Sequence, residues 1–142
     1  MKAYRCRVCS APLYFENSVC VNCGSALAYS RAEREIVPVD QAGVYVDADG
    51  WIWHVCRNLT LSGCTWLAPL QGDQCSSCDL TRTRPRDTDT AGLVALPLAE
   101  RAKRHLLAEL DGLGFATVGK SEDPKNGLAF DLLSSSSSQV MI

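Results

Sequence analysis

The chain has 142 residues, 46% hydrophobic and 21% charged, with a formal net charge of −2. These values fit a soluble, globular chain of one ordinary domain or two small ones, and they give no overall attraction to nucleic acid or to an anionic membrane. No apolar run reaches the roughly 18 residues that a membrane helix needs. The opening Met1-Lys2-Ala3-Tyr4-Arg5-Cys6 meets a cysteine before a signal-peptide core could form, so the expected compartment is the cytoplasm.

Disulfides do not persist in a reducing compartment, so eight cysteines in paired spacing read as metal ligands. Residues 1–28 carry the first quartet, Cys6 and Cys9 followed by Cys20 and Cys23, with ten residues between the pairs. Each C-x2-C turn aims two sulfurs at one centre. Two such turns supply the four corners of a tetrahedron, which zinc accepts at about 2.3 Å per sulfur. Tyr4, Leu13, Tyr14 and Phe15 flank the ligands and favour short strands that cover the cluster. Gly24, directly after Cys23, supplies a positive φ for the knuckle.

Residues 29–50 form a connector. Its Ile36-Val37-Pro38-Val39 suits an edge strand, and Asp47-Ala48-Asp49-Gly50 suits a turn. Residues 51–80 carry the second quartet, Cys56, Cys64, Cys75 and Cys78. It repeats the ten-residue inner gap and the closing C-x2-C, but it opens with seven residues between Cys56 and Cys64, and Gly63 helps that loop close. The two quartets are an imperfect internal repeat. Trp51-Ile52-Trp53 leads into it as a strand, and the three tryptophans of this stretch are expected in a compact core. His54 and His105 lie outside ligand spacing, and no His-x3-His is present.

Residues 81–96 are polar and read as a linker, with Arg82, Arg84 and Arg86 the one hint of a phosphate-binding stripe. Residues 97–114 predict a helix that opens at Pro97, stops at Gly112 and Gly114, and gathers Ala99, Ala102, Leu106, Leu110 and Leu113 on one apolar face. Residues 115–142 form a C-terminal segment with a disordered serine-rich end. The expected fold class is small, β-rich and metal-stabilised: two zinc ribbons of short β-hairpins followed by one amphipathic α-helix. The expected cofactors are two structural Zn2+. Four thiolates saturate each ion, so no open position is left for a catalytic water. Iron would accept the same ligands.

Several motifs in register carry a resemblance. Phe15-Glu16-Asn17 precedes Cys20-Val21-Asn22-Cys23-Gly24, and Gly63-Cys64-Thr65-Trp66-Leu67 precedes Cys75-Ser76-Ser77-Cys78-Asp79-Leu80-Thr81-Arg82-Thr83. Ala102-Lys103-Arg104-His105-Leu106-Leu107 and Gly127-Leu128-Ala129-Phe130-Asp131 follow. In this order, from residue 4 to about residue 133, the chain resembles the N-terminal double zinc-ribbon region of a bacterial zinc-binding metallopeptidase family. The resemblance implies that the eight cysteines are ligands and that a larger domain with a His-Glu-x-x-His motif follows such a region. Gln139-Val140-Met141-Ile142 falls where that domain would begin. No residue of the motif is present here, so the resemblance carries no catalytic residue over. The expected role is a module that contacts a protein partner or an adjoining catalytic domain, without enzymatic activity or membrane association. The alternative is a nucleic-acid-binding zinc ribbon protein.

Overall fold

The computed structural model describes residues 2–134. Apart from Ser134, the expected serine-rich end and the Gln139–Ile142 junction lie outside those residues. The chain divides into two compact units, Met1–Ser76 and Ser77–Ile142.

In the first unit, β1 (Tyr4–Arg5) pairs antiparallel with β2 (Pro12–Leu13), with Tyr4 opposite Leu13. Both of these apolar residues are buried. An antiparallel bridge between Val19 and Ala26 makes a second, shorter hairpin. The expected connector is itself built into the sheet structure. β3 (Leu27–Ser30) and β4 (Glu35–Pro38) form an antiparallel pair, and Pro38, which has no N–H to give, sits at its last rung opposite Leu27. β5 (Val44–Val46), β6 (Ile52–Val55) and β7 (Leu67–Ala68) then form a three-stranded antiparallel sheet.

The turn between β5 and β6 is the expected Asp47–Gly50 segment. Asp47 Oδ1 accepts the amides of Asp49 and Trp51, and its Oδ2 accepts the Trp53 indole N–H at 2.9 Å. Between β6 and β7 lies one helical turn, α1 (Leu59–Ser62). It ends on Gly63 at φ 67°, a left-handed conformation that only glycine adopts without strain.

Two apolar groups hold this unit. Ala28, Val37 and Leu67 are buried, with Val39, Tyr45, Trp53 and Val55 packed on them. Tyr4, Phe15, Tyr29 and Trp66 form an aromatic seam, with Tyr29 and Trp66 ring centroids 4.9 Å apart and Phe15 edge-on to Tyr29 at 5.0 Å. Aromatic pairs in such tilted arrangements add to the free energy of burial. The expectation of three core tryptophans is corrected. Trp66 is fully buried and Trp53 half-buried, but Trp51 is 70% exposed because β6 begins at Ile52 and leaves it on the turn.

In the second unit a 3-10 turn (Cys78–Leu80) leads into β8 (Thr81–Thr83). The long helix α2 (Thr90–Gly112) follows, then a loop, then β9 (Phe130–Asp131), which pairs parallel with β8. The helix starts at Thr90, seven residues before the expected start at Pro97, because Asp89 caps it: its Oδ1 accepts the Gly92 amide at 2.9 Å. Pro97 is thus internal and costs the helix one backbone hydrogen bond. Part of the expected linker 81–96 is therefore strand and helix. The C-terminus closes as expected near the glycines, with the Phe115 amide on the Leu110 carbonyl and the Gly114 amide on that of Asp111.

The buried face of α2 also differs from expectation. Ala102, Leu106 and Leu113 are exposed, while Leu96, Glu100, Lys103, Arg104 and Leu107 are buried. Charged residues can occupy the inner face because they are paired. Lys103 Nζ lies 2.7 Å from Glu100 Oε2, Thr81 Oγ1 donates to Glu100 Oε1 at 2.6 Å, and Lys103 donates to Thr81 Oγ1. The Lys103 ammonium also lies 5.6 Å from the Phe130 ring centroid. With one 23-residue helix and strands of no more than four residues, "β-rich" overstates the strand content.

Candidate metal centres

The eight cysteines gather into two groups, Cys6, Cys9, Cys20 and Cys23, and Cys56, Cys64, Cys75 and Cys78. Within each, the sulfurs lie within 4.8 Å of one another. None of the eight is in a disulfide. The Cys9 and Cys20 sulfurs at 3.6 Å, Cys6 and Cys23 at 3.7 Å, and Cys64 and Cys75 at 3.5 Å are far beyond the roughly 2.05 Å of a disulfide. A tetrahedron with metal–sulfur bonds of about 2.3 Å has edges of about 3.8 Å. The residues present therefore fit a zinc ion at each centre.

Local structure explains the placement. Cys6 follows β1, Cys9 precedes β2, and the knuckle between them folds so that the Ser10 amide reaches the Cys6 carbonyl at 2.8 Å. The second knuckle repeats this, with the Gly24 amide on the Cys20 carbonyl at 2.7 Å. The residue after each pair takes a left-handed turn, Gly24 at φ 76° and Ser10 at φ 64°. In the second quartet Cys56 follows β6 and Cys64 precedes β7, with α1 filling the longer opening gap. Cys75 and Cys78 lie together in the turn before β8.

Donors around the sulfurs favour their thiolate form. The Asn58 and Cys75 amides reach Cys56 Sγ at 3.5 and 3.4 Å, and the Ser25 hydroxyl lies 3.2 Å from Cys23 Sγ. The hydroxyl and amide of Ser25 hold the Cys23 thiol down at about 6, and the Asn22 side chain with the Ala11 amide lowers Cys9. For Cys20 the Cys23 amide pulls downward, but burial and the neighbouring Cys23 and Cys9 sulfurs outweigh it and push this thiol up to about 11. Four sulfurs this close do not all ionise without a cation among them.

The two centres differ in exposure. Every ligand of the second is buried, whereas in the first Cys23 is exposed and Cys9 half-buried. Of the residues expected to cover the first cluster, Tyr4 and Leu13 are buried and Phe15 is half-buried, but Tyr14 is 83% exposed. His54 sits in β6 and His105 is exposed on α2, and neither joins a ligand group among the described residues. A buttress at the first knuckle is not apparent from spacing alone. Arg7, between Cys6 and Cys9, donates to Tyr45 Oη at 2.9 Å and to Glu33 Oε2 at 2.6 Å, and Tyr45 donates to Glu33 Oε1 at 2.7 Å. The hint in sequence is the arginine inside the knuckle, but its partners lie 26 and 38 residues away.

Two four-cysteine groups, the first carried on short hairpins and the second on the β6–β7 pair and the turn before β8, have the ligand arrangement of the zinc-ribbon class. Comparison by family places the chain within that class: the zinc-ribbon domain family matches residues 3–89, and the chain belongs to it. Among curated proteins it is 45% identical over 142 residues to Uncharacterized protein Mb2598c of Mycobacterium bovis and, to the same degree, to Uncharacterized proteins MT2644 and Rv2568c of Mycobacterium tuberculosis. The match covers 99% of this chain but only 39% of each relative's length. No solved structure matches it. Among the described residues no helix is long and apolar enough to cross a membrane.

Proposed function

We propose that this chain is a double zinc-ribbon module whose two ions are structural and whose task is to contact protein, either an adjoining domain or a separate partner. The observation that carries this is the pair of four-cysteine groups, each with its sulfurs within 4.8 Å of one another. Four thiolates leave no position for a water or substrate, so the ions build the fold and the chain performs no hydrolysis itself. The module's place in longer proteins supports the protein contact, since the curated relatives carry more than half of their length beyond the matched part. In its finer form the proposal follows the resemblance to the metallopeptidase family, in which the neighbouring domain holds a His-Glu-x-x-His zinc site.

Nucleic-acid binding is the weaker reading. Arg82 pairs with Asp131, and Arg84 lies 2.8 Å from Asp87, so carboxylates already engage two of the three arginines that would face phosphates.

The test has two stages. Metal analysis of the purified chain should return two zinc ions per molecule. The zinc-loaded chain is then titrated calorimetrically with the remaining region of the Mycobacterium tuberculosis relative, expressed separately, and with single-stranded DNA at low salt. Saturable heat with the protein and none with DNA supports the proposal. Binding to DNA alone would replace it with the second reading.

A further inference from the structure

The two centres share a ligand set but not an environment, and the difference is greatest at Cys23. The second centre presents no exposed sulfur. The first presents Cys23 Sγ, at the end of a knuckle whose other residues are also open to solvent: Val21 is 96% exposed and Asn22 and Gly24 are exposed. A metal-bound thiolate remains a nucleophile, and its rate of attack depends on access. Cys6 Sγ, buried, lies 3.7 Å from Cys23 Sγ, close enough to meet it next without exposure of its own.

Resting on the zinc reading above, we infer that Cys23 is a modification site for hydroperoxides, through which the first ribbon releases its ion while the second ribbon keeps its own. The thiolate of Cys23 attacks one peroxide oxygen. An S–O bond forms, the O–O bond breaks, and the departing hydroxide takes a proton to become water. Cys6 Sγ then attacks the sulfenic sulfur, forming an S–S bond and expelling the hydroxyl, which leaves as water with a second proton. Two thiolates have together given up two electrons, and one hydroperoxide has become two waters, or one water and one alcohol for an organic peroxide. The ion keeps only Cys9 and Cys20, half of a shell that needs four. Ser25 Oγ, 3.2 Å from Cys23 Sγ, is placed to donate to the sulfur or to the oxygen it acquires.

The experiment uses the full zinc-loaded chain. Zinc content is measured first, so that a stoichiometry other than two identifies a failure of the zinc reading itself. Hydrogen peroxide is then added in the presence of a chromogenic zinc chelator, with timed alkylation and peptide mass mapping. One equivalent of zinc should leave at least about tenfold faster than the other, the separation expected between an exposed thiolate and buried ones. The first peptides to change should be those of Cys23 and Cys6, and a thiol reductant with added zinc should restore both. Cys23→His keeps a competent zinc ligand without the thiol and should slow the fast release to the rate of the second site. Simultaneous loss of both ions, first modification at Cys56, Cys64, Cys75 or Cys78, or an unchanged fast phase in zinc-replete Cys23→His would each overturn the inference. Mapping of the unsubstituted chain decides the question even if the variant fails to fold.

Discussion

Ser10 and Gly24 occupy the same place in the two knuckles of the first ribbon, yet only one of them is suited to it. Both turn left-handed after a ligand pair, at φ 64° and 76°, and a side chain in that conformation costs of order 1 kcal/mol. Ser10→Gly should therefore raise stability by about 0.5–1 kcal/mol, measured by denaturant unfolding of the zinc-loaded protein. Gly24→Ala should lower it by a similar amount for the converse reason, because nothing lies within 4 Å of the added carbon and backbone strain is the whole cost. At Arg7 the chemistry is different. Its side chain is 39% exposed, so solvent screens the pair with Glu33, and Arg7→Ala should cost only about 1 kcal/mol despite two hydrogen bonds. The ligands themselves bring a pH dependence. Zinc holds thiolates and protons compete for them, so retention is greatest at alkaline pH and falls with acidification. The metal-free cluster shows which proton must move: near pH 7 Cys23, at about 6, is already ionised, while Cys20, at about 11, is not. Calorimetry in buffers of different ionisation enthalpy should detect proton release on zinc uptake at neutral pH. Zinc affinity should fall more steeply with acidification below about pH 6, where Cys23 of the metal-free cluster also takes up a proton.

At the scale of elements, the ligand spacing was legible and the helix only partly so. A C-x2-C turn is local chemistry: everything that aims its sulfurs lies within a few residues. The start of α2 was misplaced because Pro97 resembles a first helical residue, whereas the cap that starts the helix is Asp89. Asp89→Ala should cost about 1 kcal/mol and fray the first turns, visible as faster amide exchange over residues 90–96. The inner face departs from the expected one because the apolar spacing of Ala99, Ala102, Leu106, Leu110 and Leu113 does not mark it: Glu100, Lys103 and Arg104 are buried instead. Thr81, on a strand about twenty residues earlier, hydrogen-bonds both members of the inward Glu100–Lys103 pair. Removing one partner strands the other: Lys103→Met should destabilise the second unit by about 3 kcal/mol or more, and the joint Glu100→Leu/Lys103→Met change by much less. Differential unfolding of the two variants measures the gap.

At the scale of the whole molecule, two ions would supplement the small apolar groups that hairpins this short can bury. Structural zinc sites contribute on the order of 10–16 kcal/mol of apparent binding free energy each. Chelation should accordingly abolish the circular-dichroism and tryptophan signals of the first unit, and readdition of zinc should restore them. The ligand groups could be read from spacing, but the packing that joins the ribbons of this unit could not. Tyr29 and Trp66 are 37 positions apart in the sequence and share no local pattern.

That aromatic seam has a consequence for the order of events as the protein is made. Tyr4, Phe15 and Tyr29 leave the ribosome together with all four ligands of the first quartet, but Trp66, and the Thr65 carbonyl that receives the Tyr29 amide at 2.9 Å, come later. The nascent chain can thus take up its first ion while three rings still lack the fourth. Translation through Trp66, rather than metal capture alone, completes the first ribbon.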